Sequence, residues 1–276
     1  MGEAFYDIPQ WIGFLSKTPI PVLKHTAREL ARLKDDEGKL SARAITSIVL
    51  GDPFMVFKII SYAQKHHGKN QLQDLIQVEQ AILMMGTNAF YRNLPASPLV
   101  EDQLKSNLPA LTHLLRLIKR AHRAAYFASD WAAMHKDLHS EEIRIAALLH
   151  DFAEMLMWCF APDKMNTIFT MQQADSTLRS RPLQEKILGF KLVELQKHLV
   201  EVFQLPTLLT ELIEDEGAEN HRARNVILAV NLARHSANGW ENAALPDDYK
   251  DIAEFLRVDV ERVKFLIGAP SEDASA

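Results

Sequence analysis

The sequence predicts an all-α fold, a two-lobed array of helices. Apolar side chains recur at helical spacing through most of the chain, and no convincing series of alternating strands appears. Proline and glycine punctuate the periodic stretches, so many short helices are expected instead of a few long ones.

Val22, Ala27, Leu30, Ala31 and Leu33 trace the first apolar face, which ends at Asp35-Asp36-Glu37-Gly38. Ser41 can cap the next helix, whose inner face is Ile45, Ile48 and Val49, and Gly51-Asp52-Pro53 marks its stop. Proline is tolerated in a first turn because that turn needs no backbone donor, so a helix over 54–66 can start at once. Gly68-Lys69-Asn70 reads as a loop, followed by short helices over 72–77 and 79–85 and, after Gly86, over 88–94. Pro95-Ala96-Ser97-Pro98 is the sharpest punctuation in the first half. It divides an N-terminal helical lobe (1–94) from a second lobe (110–268) by a seam over 95–109.

The second lobe opens with a helix over 110–134 and breaks at 135–139. Ser140 starts a helix that carries Ile145-Ala146-Ala147-Leu148-Leu149-His150-Asp151-Phe152. Pro162 closes that unit or begins the next turn. Leu183, Ile187, Leu188, Leu192, Leu195 and Leu199 form one further stripe, Pro206 interrupts it, and a shorter helix reaches Ile213. Glu214-Asp215-Glu216-Gly217 reads as a surface turn, 222–237 as a strong helix and 238–248 as a prolyl connection. Terminal helices are expected over 249–256 and 259–267, and 269–276 as a frayed tail.

Composition narrows the function. With 47% of 276 residues hydrophobic and 24% charged, the chain can bury a full core. A formal charge of −5 gives no bulk attraction for a polyanion. The local cluster Arg116, Lys119, Arg120 and Arg123 reads as one solvated helix face, so nucleic acid is not an expected partner. Cys159 is the only cysteine, which excludes an intrachain disulfide and a cysteine zinc cluster, and its apolar setting suggests an inert thiol. The start lacks the basic and apolar pattern of an export signal, and no run approaches the roughly 20 apolar residues of a membrane span. The expected setting is cytoplasmic, without membrane attachment.

The adjacent His150-Asp151, with His122 upstream, is the most functional-looking feature. Imidazole nitrogen and carboxylate oxygen are both metal donors, and a rigid apolar helix precedes the pair. The alternative is an interior polar pair without metal. His66-His67 suits a helix end, His135 and His139 lie across a break, and His198, His221 and His235 are scattered. There is no nucleophile elbow, no phosphate loop and no dinucleotide fingerprint.

Three segments together resemble the HDOD family, the HD-related output domain of bacterial signalling proteins. They are Ser41 to Pro53 with the following Phe57-Lys58-Ile59-Ile60-Ser61-Tyr62-Ala63; Val78-Glu79-Gln80-Ala81-Ile82-Leu83-Met84-Met85-Gly86; and Ile145 to Phe152. Met85 replaces a leucine of the second pattern, and Ala147 and Ala153 replace two glycines of the third. The resemblance extends from about Ile8 to Ala237 and implies a helical fold related to that of metal-dependent HD phosphohydrolases, generally without demonstrated catalysis.

The resemblance also assigns site residues. His122 resembles the first metal-binding histidine of active HD relatives, and His150 and Asp151 match their His-Asp pair. Arg234 stands where the later aspartate ligand is expected, and a guanidinium has no lone pair to give a metal. Leu192 and the Glu214-Asp215 region likewise stand where some relatives have further histidines. His122, His150 and Asp151 are thus weak metal candidates, and with Arg234 they are expected to form a vestigial polar site without a catalytic residue or cofactor.

The leading expectation is therefore a signal-transduction or regulatory binding module whose partner is a signalling protein or small ligand. The enzyme alternative is metal-dependent hydrolysis of a phosphate ester or cyclic nucleotide, with bound metal lowering the pKa of water. A third reading is a structural protein that self-associates; a homodimer fits either that or a regulatory module.

Overall fold

A computed structural model describes residues 5, 7–36, 38–66, 77–175, 177–213 and 220–270. Among them the regular structure is all helical, with a single isolated parallel bridge between Val22 and Leu99. No single helix in this set is long and apolar enough to cross a membrane.

Asp7 starts α1 (Ile8–Leu15) by accepting from the Gln10 amide at 2.9 Å, and Pro9 occupies the first turn. After α2 (Lys24–Lys34), Ser41 caps α3 (Ala42–Val49) through the Ala44 amide at 3.2 Å. Pro53 opens α4 (Pro53–Lys65). Between α5 (Val78–Met85) and α6 (Thr87–Asn93) lies Gly86, whose φ of 80° a side chain would strain. The single turn α7 (Val100–Gln103) leads to α8 (Leu108–Met134), the longest helix.

α9 (Ser140–Leu149) and α10 (Phe152–Phe160) are separate helices, so the run expected to continue through His150-Asp151-Phe152 breaks at that pair. α11 (Pro162–Ala174) starts on its proline. The stripe expected to be one helix is two, α12 (Ser180–Leu188) and α13 (Leu192–Val202), because Gly189 turns left-handed at φ 92°. The chain then forms α14 (Thr207–Ile213), α15 (His221–His235), α16 (Leu245–Leu256) and α17 (Val260–Ile267). α16 begins before the expected 249 because Pro246 sits in its first turn instead of ending a loop. The loop at 68–70, most of the helix at 72–77, the turn at 214–217 and most of the 269–276 tail lie outside the described residues.

Packing groups the chain into two compact units. One holds the chain up to Ile118 together with Asp151–Thr207; the other holds Lys119–His150 and Leu208–Ala276. This division differs from a linear cut over 95–109, since α13 packs against α1, and α10 and α12 against α13.

The expected seam is itself bound into the first unit. Lys58 Nζ donates to the carbonyls of Pro95 at 2.7 Å and Ser97 at 3.4 Å. The Val22 amide donates to Pro98 O, the Val100 amide to Val22 O, each at 2.9 Å, and the Lys24 amide to Glu101 Oε2 at 2.8 Å. The prolines stop helix formation, but these partners satisfy the backbone groups left over.

Asp52 organises the same region. Its side chain has no solvent exposure. Oδ1 accepts from the amides of Phe54 and Met55 at 3.0 and 3.2 Å, and Oδ2 from the amide of Leu23 at 2.8 Å. Thr26 adds a side-chain bond to the carboxyl. One carboxyl therefore caps α4 and, across the chain, the start of α2, which has no side-chain cap of its own. Burial pushes its pKa up from the ordinary 3.8 to about 6, against the opposing pull of those donors. Above this network Phe152 stacks on Phe57, with ring centroids 4.2 Å apart, and meets Phe54 edge-on at 5.6 Å.

In the second unit Trp131 is fully buried, and Asn225 Nδ2 on α15 donates to Ala128 O on α8 at 3.1 Å. His235 Nδ1 lies 2.6 Å from Asp248 Oδ2, joining α15 to α16. Arg123 donates to Ser236 O at 3.0 Å and lies over the rings of Phe127 and Trp240.

The raised pKa of Asp52 fixes the sign of a pH effect. A carboxyl that binds its proton more tightly when folded contributes stability that is complete below its unfolded pKa and is lost as pH rises through the folded value. Asp52→Asn leaves the Leu23 amide facing a donor, so wild type should be the more stable by about 1–3 kcal/mol at pH 4. That gap should narrow by up to about 3 kcal/mol between pH 4 and 7. Urea unfolding of both proteins across this range checks it; a gap that stays flat or widens contradicts the protonated buried carboxyl.

Candidate functional site

The residues singled out in the sequence come from four places. His122 is half-buried on α8, His150 follows the end of α9, Asp151 is the N-cap residue of α10, and Arg234 is half-buried in the last turn of α15. His122, His150 and Arg234 belong to the second unit and Asp151 to the first. The Asp151 side chain makes no capping bond to α10; instead the Ala153 amide donates to Gln196 Oε1 of α13 at 2.7 Å. Ala147 and Ala153, where the family pattern has glycine, are both buried in close packing.

The donor set does not fit an HD-type metal centre. Among the described residues, no three His, Cys, Asp or Glu side chains are grouped so that they could hold a metal ion. Arg234 offers donors only.

The other histidines have structural surroundings. His66 caps α4 and stacks on Tyr62 at 4.0 Å, whereas His67 lies outside the described residues. His135 and His221 meet edge-to-face at 4.6 Å and both contact Phe255. His139 and exposed His198 each lie 3.3 Å from a glutamate one turn on, Glu142 and Glu201. Cys159 is buried, and burial pushes its thiol well above the usual range, which leaves it inert. The basic cluster is only partly a solvated face: Arg116 and Lys119 are exposed, while Arg123 is packed as described above.

A cavity of about 380 Å³ opens between α8 and α9, wholly within the second unit. Helical spacing aligns His122, Tyr126, Ser129 and Asp130 along one side of α8, and Arg144 and Leu148 are one turn apart on α9. Ala125 and Ala133 complete the lining with small apolar surface. Neither Asp130 nor Arg144 makes an ion pair among the described residues, although both are half-buried. His150 and Arg234 are not among the lining residues.

The turn between the two helices sets this wall. α8 ends in a Schellman motif in which the Lys136 amide donates to Ala133 O and the Asp137 amide to Ala132 O, with Lys136 left-handed at φ 55°. Asp137 then accepts from the His139 amide at 2.9 Å and from Arg222 Nε at 2.7 Å. Burial alone would raise the Asp137 carboxyl; its bonds to Arg222 and the His139 amide outweigh that and hold it below the usual range. Sequence reasoning did not single out Tyr126, Ser129, Asp130 or Arg144. The available signal was a polar line at i, i+4, i+7 and i+8 from His122, on a helix that also carries the basic residues Arg116, Lys119, Arg120 and Arg123.

Fold and site together define an all-helical protein of the HD-related class whose described residues do not group a metal-donor set. The HDOD domain model matches residues 20–218, and the chain belongs to the HDOD domain family. Its fold is similar to that of the MmoQ response regulator from Methylococcus capsulatus Bath, with a TM-score of 0.66 and 17% identity over 91% of this chain and 99% of that one. It is also similar to a virulence factor from Campylobacter jejuni, with a TM-score of 0.68 and 14% identity over 96% and 93% of the two chains. An HDOD domain protein of unknown function from Geobacter sulfurreducens matches at a TM-score of 0.50 and 15% identity, over 95% of each chain. At these identities the likeness is one of fold. No curated protein matches the sequence.

The Gln196 contact explains how the His-Asp motif is supported. Gln196→Leu removes the acceptor of the buried Ala153 amide, and the stability of the protein should fall by about 1–3 kcal/mol. Chemical denaturation measures it; a change within about 0.5 kcal/mol, as at an ordinary surface position, contradicts the role given to this bond.

Proposed function

We propose that the protein is a non-catalytic regulatory module that works by binding and has no substrate turnover. The observation that carries this reading is the pairing of an intact family framework with a donor set that lacks its carboxylate. Asp52, Lys58 and Phe152, all within the family's motifs, each have a clear packing or hydrogen-bonding task. Arg234 brings positive charge to the segment where a ligand of the metal is expected. In this reading His122, His150, Asp151 and Arg234 are the polar remnant of a metal centre, kept because burying any one of them without its partners is costly. The partner is a signalling protein or a small ligand. That MmoQ is described as a response regulator is consistent with a role in signal transduction.

The test is chemical. Untagged protein, purified without added metal and then with manganese or magnesium, is analysed by elemental mass spectrometry and assayed with bis(p-nitrophenyl) phosphate and cyclic dinucleotides. Substoichiometric metal and no metal-dependent turnover above the His150→Ala background are expected. One metal ion per chain in wild type, absent from a His150→Ala protein of unchanged circular dichroism and accompanied by metal-dependent hydrolysis, would overturn the reading in favour of a phosphohydrolase.

A further inference from the structure

We propose that the cavity between α8 and α9 is a binding site for a small zwitterion of the α-amino-acid class. The inference rests on the reading of the chain as a binding module and supplies a ligand chemistry for it.

The argument starts from two charges. Asp130 on α8 and Arg144 on α9 line the same cavity, and among the described residues neither forms an ion pair with the other or with any third group. Both are half-buried, so each has lost part of its water without gaining a counter-charge. Two other carboxylates of this unit do have counter-charges: Asp137 has Arg222, and buried Asp248 has His235. The cavity is therefore the place where a ligand restores what the protein leaves unpaired.

The signs select the ligand. A simple anion meets Arg144 but is repelled by Asp130, and a simple cation meets the reverse. A molecule carrying carboxylate and ammonium a few bonds apart satisfies both, with the guanidinium fork suited to a bidentate carboxylate. A neutral polyol can hydrogen-bond to both groups, yet bonds between opposite charges are about twice as strong as neutral ones.

The rest of the lining agrees. Ser129 supplies a hydroxyl that can donate to a carboxylate or accept from an ammonium. Buried Leu148 and Ala125 give the lining apolar surface for a side chain, and exposed Tyr126 adds an aromatic ring. A volume of about 380 Å³ accommodates one amino acid of medium size. It lies at the small end of the roughly 300–1,000 Å³ usual for ligand sites.

Isothermal titration of the full chain with L-leucine and L-phenylalanine, and with their N-acetyl and methyl-ester derivatives, tests the site. Saturable binding of the free amino acids is expected, weakened at least tenfold by either derivatisation, because each removes one charge. In Asp130→Asn the penalty for N-acetylation should disappear, and in Arg144→Gln the penalty for esterification, with circular dichroism confirming that both variants are folded. Should a variant misfold, the derivatives still decide the matter on wild-type protein. No saturable binding in the millimolar range, equal binding of the derivatives, or tighter binding of glucose as a neutral polyol would overturn the proposal. If zwitterions fail while the protein shows neither metal nor turnover, this site falls and the binding-module reading stands; metal-dependent hydrolysis would sink that reading whatever the cavity binds.

Discussion

The first unit depends on a carboxyl that water does not reach. Asp52 gathers the amides of Leu23, Phe54 and Met55, whose partners would otherwise have to come from solvent that is absent there. The Leu23 contact spans 29 residues of sequence, so a helix cap has become a tertiary tie. Pro53 fits because the position after the cap needs no donor, and Lys58 reaches from the same helix to the carbonyls of Pro95 and Ser97. Burial lowers the pKa of the Lys58 ammonium and the nearby Asp52 charge raises it, so the two groups are electrostatically linked as well as carried by one helix and its cap.

The His-Asp motif is tied to that framework by its neighbours more visibly than by its own side chains. Phe152 lies against Phe54 and Phe57, in the helix that Asp52 caps, and the next amide is taken by Gln196. Asp151 itself sits at φ −97° and ψ 26°, the sparsely occupied bridge between helix and strand, where α9 gives way to α10. The motif forms the junction between α9 and α10, with Phe152 as its aromatic anchor.

The helices were legible because helix formation is largely local. Period, caps and first-turn prolines located α2, α3, α4, α8 and α15 within a few residues. Errors arose where local signals conflict. Apolar periodicity runs unbroken through Leu148-Leu149-His150-Asp151-Phe152, and only tertiary contacts of Phe152 and Ala153 reveal the break. The stripe from Leu183 to Leu199 passes over Gly189, which turns left-handed and ends α12, and Pro246, within the expected connection, serves as a first-turn residue. The composition of the packed units was not legible at all, because the assignment of α10–α13 to the N-terminal helices depends on contacts between distant segments. The cavity was hidden for a related reason: Asp130 and Arg144 are unremarkable surface-type residues until α8 and α9 are folded against one another.

That folding also fixes the two walls of the cavity relative to each other. The turn joining its two walls is fixed by two separate devices, the left-handed Lys136 with its Schellman bonds and the Asp137 carboxylate held by Arg222 of α15. The left-handed conformation is unfavourable for lysine by roughly 1–2 kcal/mol, so it must be imposed by the surrounding bonds. Asn225 repeats the connection one turn further along α15 by donating to Ala128 on α8. Both walls thus share one neighbour outside the cavity: α15 is bonded to the turn through Arg222 and to α8 through Asn225, and packs against α9.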